Sequence, residues 1–195
     1  PEYGPQLVRM YLMRNDKESK LGTTPLPDGM VRVFRDNGRD GLSFLVAQHV
    51  KYIPIGDKIE LNLGLDPEVI FELVKGRVWR DHIWMKIYGA DLYKRVDDGR
   101  VEIDVRSSVA GWDEHTYFIQ RVRNYTAKPI ELEIRRPFAG HVVFRSKLGA
   151  TNHDYRTVQY TGTVAPGKKA EFRYEVVQHM GRNHKQDNVT VVAVK

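Results

Sequence analysis

Apolar and polar residues alternate with a period of two along most of the chain. The clearest segment is 130–135, which reads Ile-Glu-Leu-Glu-Ile-Arg. Such alternation places apolar side chains on one face of a β-strand and charged side chains on the other. The segments that show it are 7–14, 31–35, 42–46, 58–63, 101–106, 117–123, 130–135, 141–144, 157–160, 171–176 and 189–192. We therefore predict an all-β fold.

Turn-forming residues separate these segments. They cluster at Pro27–Gly29, Asp40–Gly41, Pro54–Asp57, Asp98–Gly99 and Pro166–Gly167. Proline, aspartate and glycine supply the restricted or left-handed backbone conformations that tight turns need. Many short strands about 8–12 residues apart, joined by such turns, are typical of two packed sheets. We predict an antiparallel β-sandwich of the immunoglobulin or fibronectin type, as one domain or as two packed lobes.

The segment after Asp66 fits two kinds of element. Asp66 and Pro67 are suited to the cap and the first position of a helix. Val69, Ile70 and Phe71 follow them, and β-branched and aromatic residues favour strands. Because this β character continues over 78–88, we predict a strand here.

The length of the chain bears on its domain organisation. The 195 residues correspond to one large domain or two small ones, at about 150 residues per domain. The alternation is weakest over 89–99. We therefore predict an N-terminal lobe of residues 1–95 and a C-terminal lobe of residues 96–195, with one continuous domain as the alternative. The sequence contains no internal repeat.

The N-terminus and the cysteine content narrow the class of protein. The chain begins at Pro1 without an initiator Met or a signal-peptide pattern, so we expect an excised domain or a processed product. No apolar run approaches the about 18 residues of a membrane-spanning helix. Because the chain has no cysteine, disulfides, thiol catalysis and Cys-based metal sites are excluded.

Two patterns suggest metal ligands, and both have simpler explanations. Residues 36–41 resemble part of a calcium loop, but Gly38 and Ala47 occupy its third and twelfth positions, where oxygen ligands are needed. We predict a hairpin turn at these residues instead. His179 and His184 lack the spacing that fixes three ligands on one element. We therefore predict no metal site and no cofactor.

Four successive residues, Trp112, Asp113, Glu114 and His115, combine an aromatic ring, two carboxylates and an imidazole. A glycosidase needs two carboxylates that face each other across a cleft. Adjacent side chains of a strand point to opposite faces, so Asp113 and Glu114 cannot form that pair by themselves. No nucleophile motif accompanies them. We predict no catalytic residue and retain the four as candidates for binding a ligand such as a glycan.

The net charge of +6 could indicate that the protein binds an acidic partner. Along most predicted strands Lys and Arg alternate with Glu, which is typical of a solvated face and disfavours nucleic acid as a partner. Four arginines on consecutive predicted strands could instead form one basic stripe. They are Arg121, Arg123, Arg135 and Arg136. These four residues are the candidate site for an acidic polymer.

A longer motif begins at Leu21, where the chain reads Leu-Gly-Thr-Thr-Pro-Leu-Pro-Asp-Gly-Met-Val-Arg-Val-Phe. With the turn Pro54–Asp57 and the Leu-x-Leu-Gly that starts at Leu61, it resembles the C-terminal domain of unknown function of bacterial mucoidy-inhibitor-like proteins. The resemblance extends into the C-terminal half, at 128–132 and 164–168. This sequence departs from the family pattern at Tyr52, where the family has His, and at Asp57, where it has Glu.

The resemblance implies an all-β domain of a bacterial protein that often carries an export signal and an upstream coiled coil. On this basis alone we expect a periplasmic or cell-envelope location. The family supplies no reaction, no cofactor and no catalytic residue that could be transferred to positions of this sequence.

Three hypotheses of function follow. The leading one is a non-catalytic β-sandwich module of an envelope-associated protein, which presents sheet faces or edges to a protein partner, to its own upstream segments or to a second copy. The second is a carbohydrate-binding or polysaccharide-processing domain that uses Trp112, Asp113, Glu114 and His115. The third is a basic module that binds an acidic polymer through the four arginines.

Overall fold

The computed structural model describes residues 7–89, 92–96 and 106–194, which form thirteen strands and no helix. The first six strands are β1 (Val8–Arg14), β2 (Gly29–Asp36), β3 (Leu42–Val50), β4 (Lys58–Leu65), β5 (Val69–Ile87) and β6 (Leu92–Val96). The others are β7 (Ser107–Asn124), β8 (Ile130–Pro137), β9 (His141–Ser146), β10 (Thr151–Asn152), β11 (Thr157–Val164), β12 (Lys169–Gly181) and β13 (Asn188–Ala193). The prediction of an all-β fold is confirmed.

Most strands coincide with alternating segments of the sequence. β5 begins at Val69, which confirms the strand rather than the helix after Asp66. β5 runs for 19 residues through both segments of β character that predicted it, and β7 runs for 18 residues, well beyond the alternating segment 117–123. The strand predicted at 101–106 lies outside the described residues, except that Arg106 is described and belongs to no strand.

The described residues divide into two compact units, one within Gln6–Pro67 and one within Glu68–Lys195. The lobe boundary predicted between residues 95 and 96 lies inside the second unit. We call them the N-terminal and the C-terminal unit.

The N-terminal unit consists of two antiparallel pairs, β1 with β4 and β2 with β3. Leu26, which lies between two prolines, forms a β-bridge with Ile53 and so extends the pairing of β2 with β3. Ile53, Ile59 and Leu61 form the buried apolar core of this unit. Because the core is small, much of the apolar surface of these strands stays exposed.

The predicted hairpin turn at residues 36–41 is confirmed. The backbone N–H of Asn37 donates to the carbonyl of Gly41 at 3.0 Å, and β2 pairs with β3 on either side. The side chain of Asp36 accepts the N–H of Gly38, whose φ of 70° is the left-handed conformation that glycine adopts without strain. The carboxylate of Asp36 therefore serves turn formation.

The C-terminal unit contains a six-stranded and a three-stranded sheet. The six-stranded sheet has the order β13-β9-β12-β7-β5-β6, and all its neighbours are antiparallel except β13 and β9. The three-stranded sheet has the order β10-β11-β8 and is antiparallel. β7 pairs with β5 along one edge and with β12 along the other, so it has a strand on each side.

Aromatic side chains of the two sheets meet on one face of β7. The ring of Tyr160 on β11 lies 6.0 Å from that of Phe172 on β12 and 6.1 Å from that of Phe144 on β9. The hydroxyl of Tyr160 donates to the side chain of Gln120 on β7. Side chains alternate along a strand, so the even-numbered residues of β7 face this core and odd-numbered residues such as Asp113 face the other side.

Both units contain the same arrangement of a buried asparagine after a strand. Asn15 follows β1, is completely buried, and donates from Nδ2 to the carbonyls of Thr24, Ile53 and Pro54. Asn124 ends β7, is also completely buried, and donates in the same way to three carbonyls. Those acceptors are Lys128, Val164 and Ala165.

The backbone around the two asparagines is also similar. The N–H of Asn15 donates to Asp57 and that of Asn124 to Lys168, both at 2.9 Å. Asp57 and Lys168 close turns that contain proline and glycine, and the next strands, β4 and β12, pair with β1 and β7. β1 and β7 therefore hold equivalent positions, although the sequence contains no detectable repeat.

Candidate functional site

A row of polar residues crosses five neighbouring strands of the six-stranded sheet, on the face opposite the aromatic core. Directly opposed pairs connect Asp81 on β5 with Asp113 on β7, Asp113 with His179 on β12, His179 with His141 on β9, and His141 with Asn188 on β13. Opposed residues of neighbouring strands project to the same face. The sheet therefore gathers residues that are more than one hundred positions apart in the sequence.

Asp113 is the most heavily hydrogen-bonded residue of this row. Its Oδ1 lies 2.6 Å from His179 Nδ1 and accepts the side-chain N–H of Asn183 at 2.8 Å, while its Oδ2 lies 2.8 Å from His82 Nδ1. Burial favours a higher pKa, but the hydrogen bonds from His179, His82 and Asn183 outweigh it and hold the pKa of Asp113 below its ordinary value. Asp113 is therefore a carboxylate, although it is only 7% exposed.

His115, two residues further along β7, is enclosed on three sides. Its Nδ1 lies 2.5 Å from Glu175 Oε1, and its Nε2 lies 3.0 Å from Asp81 Oδ1. Trp79 stacks on the imidazole at 4.7 Å with an interplanar angle of 17°. A neutral imidazole has a single N–H to donate, whereas carboxylates face both nitrogens here. Negative charge thus accumulates around His115.

Two further histidines, His141 and His184, lie near His179 in the same region. The ring of His141 lies 4.3 Å from that of His179 and 6.2 Å from that of His184. His141 Nδ1 is buried and has no hydrogen-bond partner among the described residues. Burial and then the neighbouring His179 lower the pKa of His141 below its ordinary value. Five of the seven histidines thus lie in one region, which we call the histidine–carboxylate cluster.

The predicted quartet at 112–115 is divided between the two faces of β7. Asp113 and His115 belong to the histidine–carboxylate cluster, whereas Trp112 and Glu114 are on the opposite face. There, the guanidinium of Arg80 lies 4.7 Å from the Trp112 ring and donates to Glu114 Oε2 at 2.9 Å. The prediction that Asp113 and Glu114 point apart is confirmed, and the four residues do not form one binding surface.

The predicted basic stripe is wrong, because its arginines lie in different sheets. Arg121 and Arg123 are on β7 of the six-stranded sheet, whereas Arg135 and Arg136 are on β8 of the three-stranded sheet. Arg121 donates to Glu171 at 3.1 Å. β7 and β8 are consecutive in the sequence but are not neighbours in one sheet.

The individual partners of the other arginines also differ. Arg123 donates to the hydroxyl of Tyr125 at 2.8 Å. Arg135 forms an ion pair with Glu133 at 2.5 Å. Arg136 is half-buried, lies 4.3 Å from the ring of Phe118 and donates to the Tyr174 hydroxyl. Arg136 therefore packs against the aromatic core, unlike the exposed Arg135 beside it.

The N-terminal unit carries a second candidate surface, which is apolar. All seven residues of β1 are exposed, and five of them are large apolar residues. They are Val8, Met10, Tyr11, Leu12 and Met13. A shallow groove beside the strand is lined by Leu12, Met13, Arg14, Ser19, Leu21 and Lys58. Because successive side chains alternate, both faces of β1 present apolar groups to solvent.

Sequence reasoning missed most of the histidine–carboxylate cluster. His82, His141, Glu175 and Asn183 are far apart in the sequence, and the folded sheet brings them together. His82 and Asn183 contact Asp113, Glu175 contacts His115, and His141 lies beside His179. The sequence offers local signals for only part of it, namely the quartet at 112–115, the pair His179 and His184, and the adjacent pair Asp81–His82.

No protein-family model, curated protein sequence or solved structure matches the chain significantly. In the described part of the chain, no helix has the length and hydrophobicity that crossing a bilayer requires.

Proposed function

We propose that this chain is a non-catalytic β-sandwich module that binds a protein partner through β1 of the N-terminal unit. The observation that carries the proposal is the exposure of apolar residues on both faces of β1. Strands with apolar residues on both faces are typically central strands that are covered on each side. The contacts of Tyr160 with Phe172 and Phe144 support the sandwich architecture of the C-terminal unit.

The equivalent strand of the C-terminal unit indicates what covers β1. β7 pairs with β12 on one edge and with β5 on the other. β1 pairs with β4, and among the described residues its second edge has no strand partner. We therefore assign to the partner an extended, apolar segment that adds to β1 as β5 adds to β7, which is a common mode of peptide recognition.

The charge at the end of β1 adds a second element of specificity. Arg14 lies opposite Lys58 on β4, and both line the groove beside β1. A partner segment with an acidic residue at this end complements the two cations. The resemblance to the mucoidy-inhibitor-like family is the basis for proposing a bacterial, envelope-associated protein.

The separation of Asp113 from Glu114 favours this function over polysaccharide processing. Glycoside hydrolysis by two carboxylates requires both groups at the same cleft. The dispersal of the four arginines over two sheets likewise removes the support for binding an acidic polymer.

Selection of displayed random peptides on the whole chain tests the proposal. We expect enriched peptides to alternate apolar residues and to carry an acidic residue at one end. Leu12→Arg should weaken their binding at least about tenfold, equivalent to about 1.4 kcal/mol. Leu12 is 63% exposed, so the variant should fold, which circular dichroism verifies. Val109→Arg is the matched control, because Val109 is an exposed apolar residue of β7.

Three outcomes would overturn the proposal. One is that no peptide is enriched. Another is that the peptides bind Leu12→Arg as tightly as the unchanged chain. The third is concentration-dependent dimerisation that Leu12→Arg abolishes, since it would identify a second copy as the occupant of β1.

A further inference from the structure

The histidine–carboxylate cluster contains three side chains whose polar atoms converge on one point. His82 Nδ1 lies 3.2 Å from Asp81 Oδ1 and 2.8 Å from Asp113 Oδ2. Each of the three residues offers one ligand atom that lies within 4.8 Å of those of the other two. We propose that Asp81, His82 and Asp113 bind a divalent transition-metal ion of the zinc class.

The separations of these atoms fit the coordination geometry of such an ion. Zinc binds histidine nitrogen and carboxylate oxygen at about 2.0–2.2 Å, which places neighbouring tetrahedral ligands about 3.3 Å apart. The observed separations of 2.8 Å and 3.2 Å approach this value. Small side-chain movements therefore suffice to admit the ion.

The irregular pairing of β5 with β7 delivers two ligands from adjacent residues. The register of β5 shifts between Asp81 and Trp84, and His82 has a φ of 45°. Side chains of consecutive residues in a regular strand point to opposite faces. At this bulge, both Asp81 and His82 instead approach Asp113, which is opposite Asp81 in the register.

The surrounding residues orient Asp113 as a ligand. His179 and Asn183 contact its Oδ1, which leaves Oδ2 directed at His82. Metal-binding carboxylates are typically held by hydrogen bonds of this kind. A buried carboxylate needs compensating hydrogen bonds or a metal ion, and Asp113 is close to the second carboxylate of Asp81. A divalent cation neutralises the two charges.

The site is closed on one side and open on the other. The side chain of Asp113 is 10% exposed, whereas those of Asp81 and His82 are 34% and 45% exposed. An ion can thus enter from solvent, and water can complete a tetrahedral set. An imidazole with two carboxylates favours zinc-class ions over Ca²⁺ and Mg²⁺, which prefer ligand sets made only of oxygen.

Calorimetric titration of the chelator-treated whole chain with Zn²⁺ tests the site. We expect one ion per chain and a melting temperature that rises with Zn²⁺ concentration. His82→Asn should weaken binding by at least about 10- to 100-fold, the loss typical of residues that only support a ligand. Asparagine tolerates a positive φ, so this variant should preserve the bulge. His184→Asn is the control, because His184 contacts Asp187 and lies outside the three ligands.

The proposal predicts that His184→Asn binds Zn²⁺ as the unchanged chain does. Absence of Zn²⁺ binding to the unchanged chain would overturn it. Equal affinity of His82→Asn and the unchanged chain would do the same. Loss of binding in His184→Asn with retention in His82→Asn would also overturn it, since that result would place the ion among His141, His179 and His184.

Discussion

A single buried amide can hold the backbone of two loops together. The Nδ2 group of Asn15 donates to three carbonyls from two separate loops, each at 3.2 Å. Buried carbonyls without a donor are costly, so the asparagine fixes both loops against the end of β1. Asn124 repeats this role, and its Oδ1 also accepts from the N–H and hydroxyl of Thr126.

Replacement of Asn15 should therefore destabilise the chain more than replacement of an exposed asparagine. Asn15→Ala removes the side-chain donor to the Thr24 carbonyl and leaves the Ile53 and Pro54 carbonyls only their backbone donors, Leu26 and Asp57. We expect a loss of roughly 1–3 kcal/mol in the free energy of unfolding. Asn62 lies at an exposed position of the same unit, and its side chain accepts the N–H of Gly64 at 2.8 Å. Because this hydrogen bond is exposed to solvent, Asn62→Ala should cost less than about 1 kcal/mol. Chemical denaturation of both variants provides the comparison. Equal losses would show that Asn15 does not hold the loops together.

At the scale of elements, the sequence predicts strands well and their neighbours poorly. Period-two alternation reveals β8 and β12, because one face of each strand is apolar. The alternation fails around Trp79 and Asp113, where polar residues of the histidine–carboxylate cluster occupy one face of β5 and β7. Neighbours in a sheet depend on contacts between distant segments. The sequence therefore places Arg123 and Arg135 on successive strands but does not reveal that these belong to different sheets.

Close approach of β11 to β12 depends on a glycine in the middle of a strand. A Cβ atom at Gly162 would lie 2.4 Å from Cε1 of Phe172, a core residue that is only 8% exposed. Glycine within a strand often marks such an approach. The aromatic contact between the two sheets thus requires a residue without a side chain at position 162.

Gly162→Ala should therefore displace Phe172 and lower the free energy of unfolding by about 1–3 kcal/mol. Gly29→Ala is the control, because Gly29 also lies in a strand and its added Cβ would meet no heavy atom closer than 4.0 Å. The control should be neutral or should stabilise the chain by less than about 1 kcal/mol. Thermal or chemical denaturation measures both. A neutral Gly162→Ala variant would contradict the tight packing.

At the scale of the whole molecule, both units contain the same strand, asparagine and turn arrangement, but their hydrophobic cores differ greatly in size. In each unit a buried asparagine stands at the end of one strand, β1 or β7. Its backbone N–H donates to the turn that precedes the paired strand, β4 or β12. Among the described residues, three buried hydrophobic side chains belong to the N-terminal unit and fourteen to the C-terminal unit. Burial of apolar surface is the main favourable contribution to folding. The exposed strand β1 is thus the counterpart of a strand that, in the C-terminal unit, is covered and paired on both edges.

This difference predicts unequal protection of backbone amides from hydrogen exchange in the intact chain. Regions with few buried apolar contacts open locally at a lower free-energy cost than well-packed strands. We expect the amides of β2 and β3 to exchange well before those of β7 and β12, as measured by mass spectrometry of peptides from the labelled protein. Asn15→Ala should accelerate exchange in β1 and β4 and leave β7 and β12 unchanged. Uniform protection in both units would show that the small core of the N-terminal unit does not limit its stability.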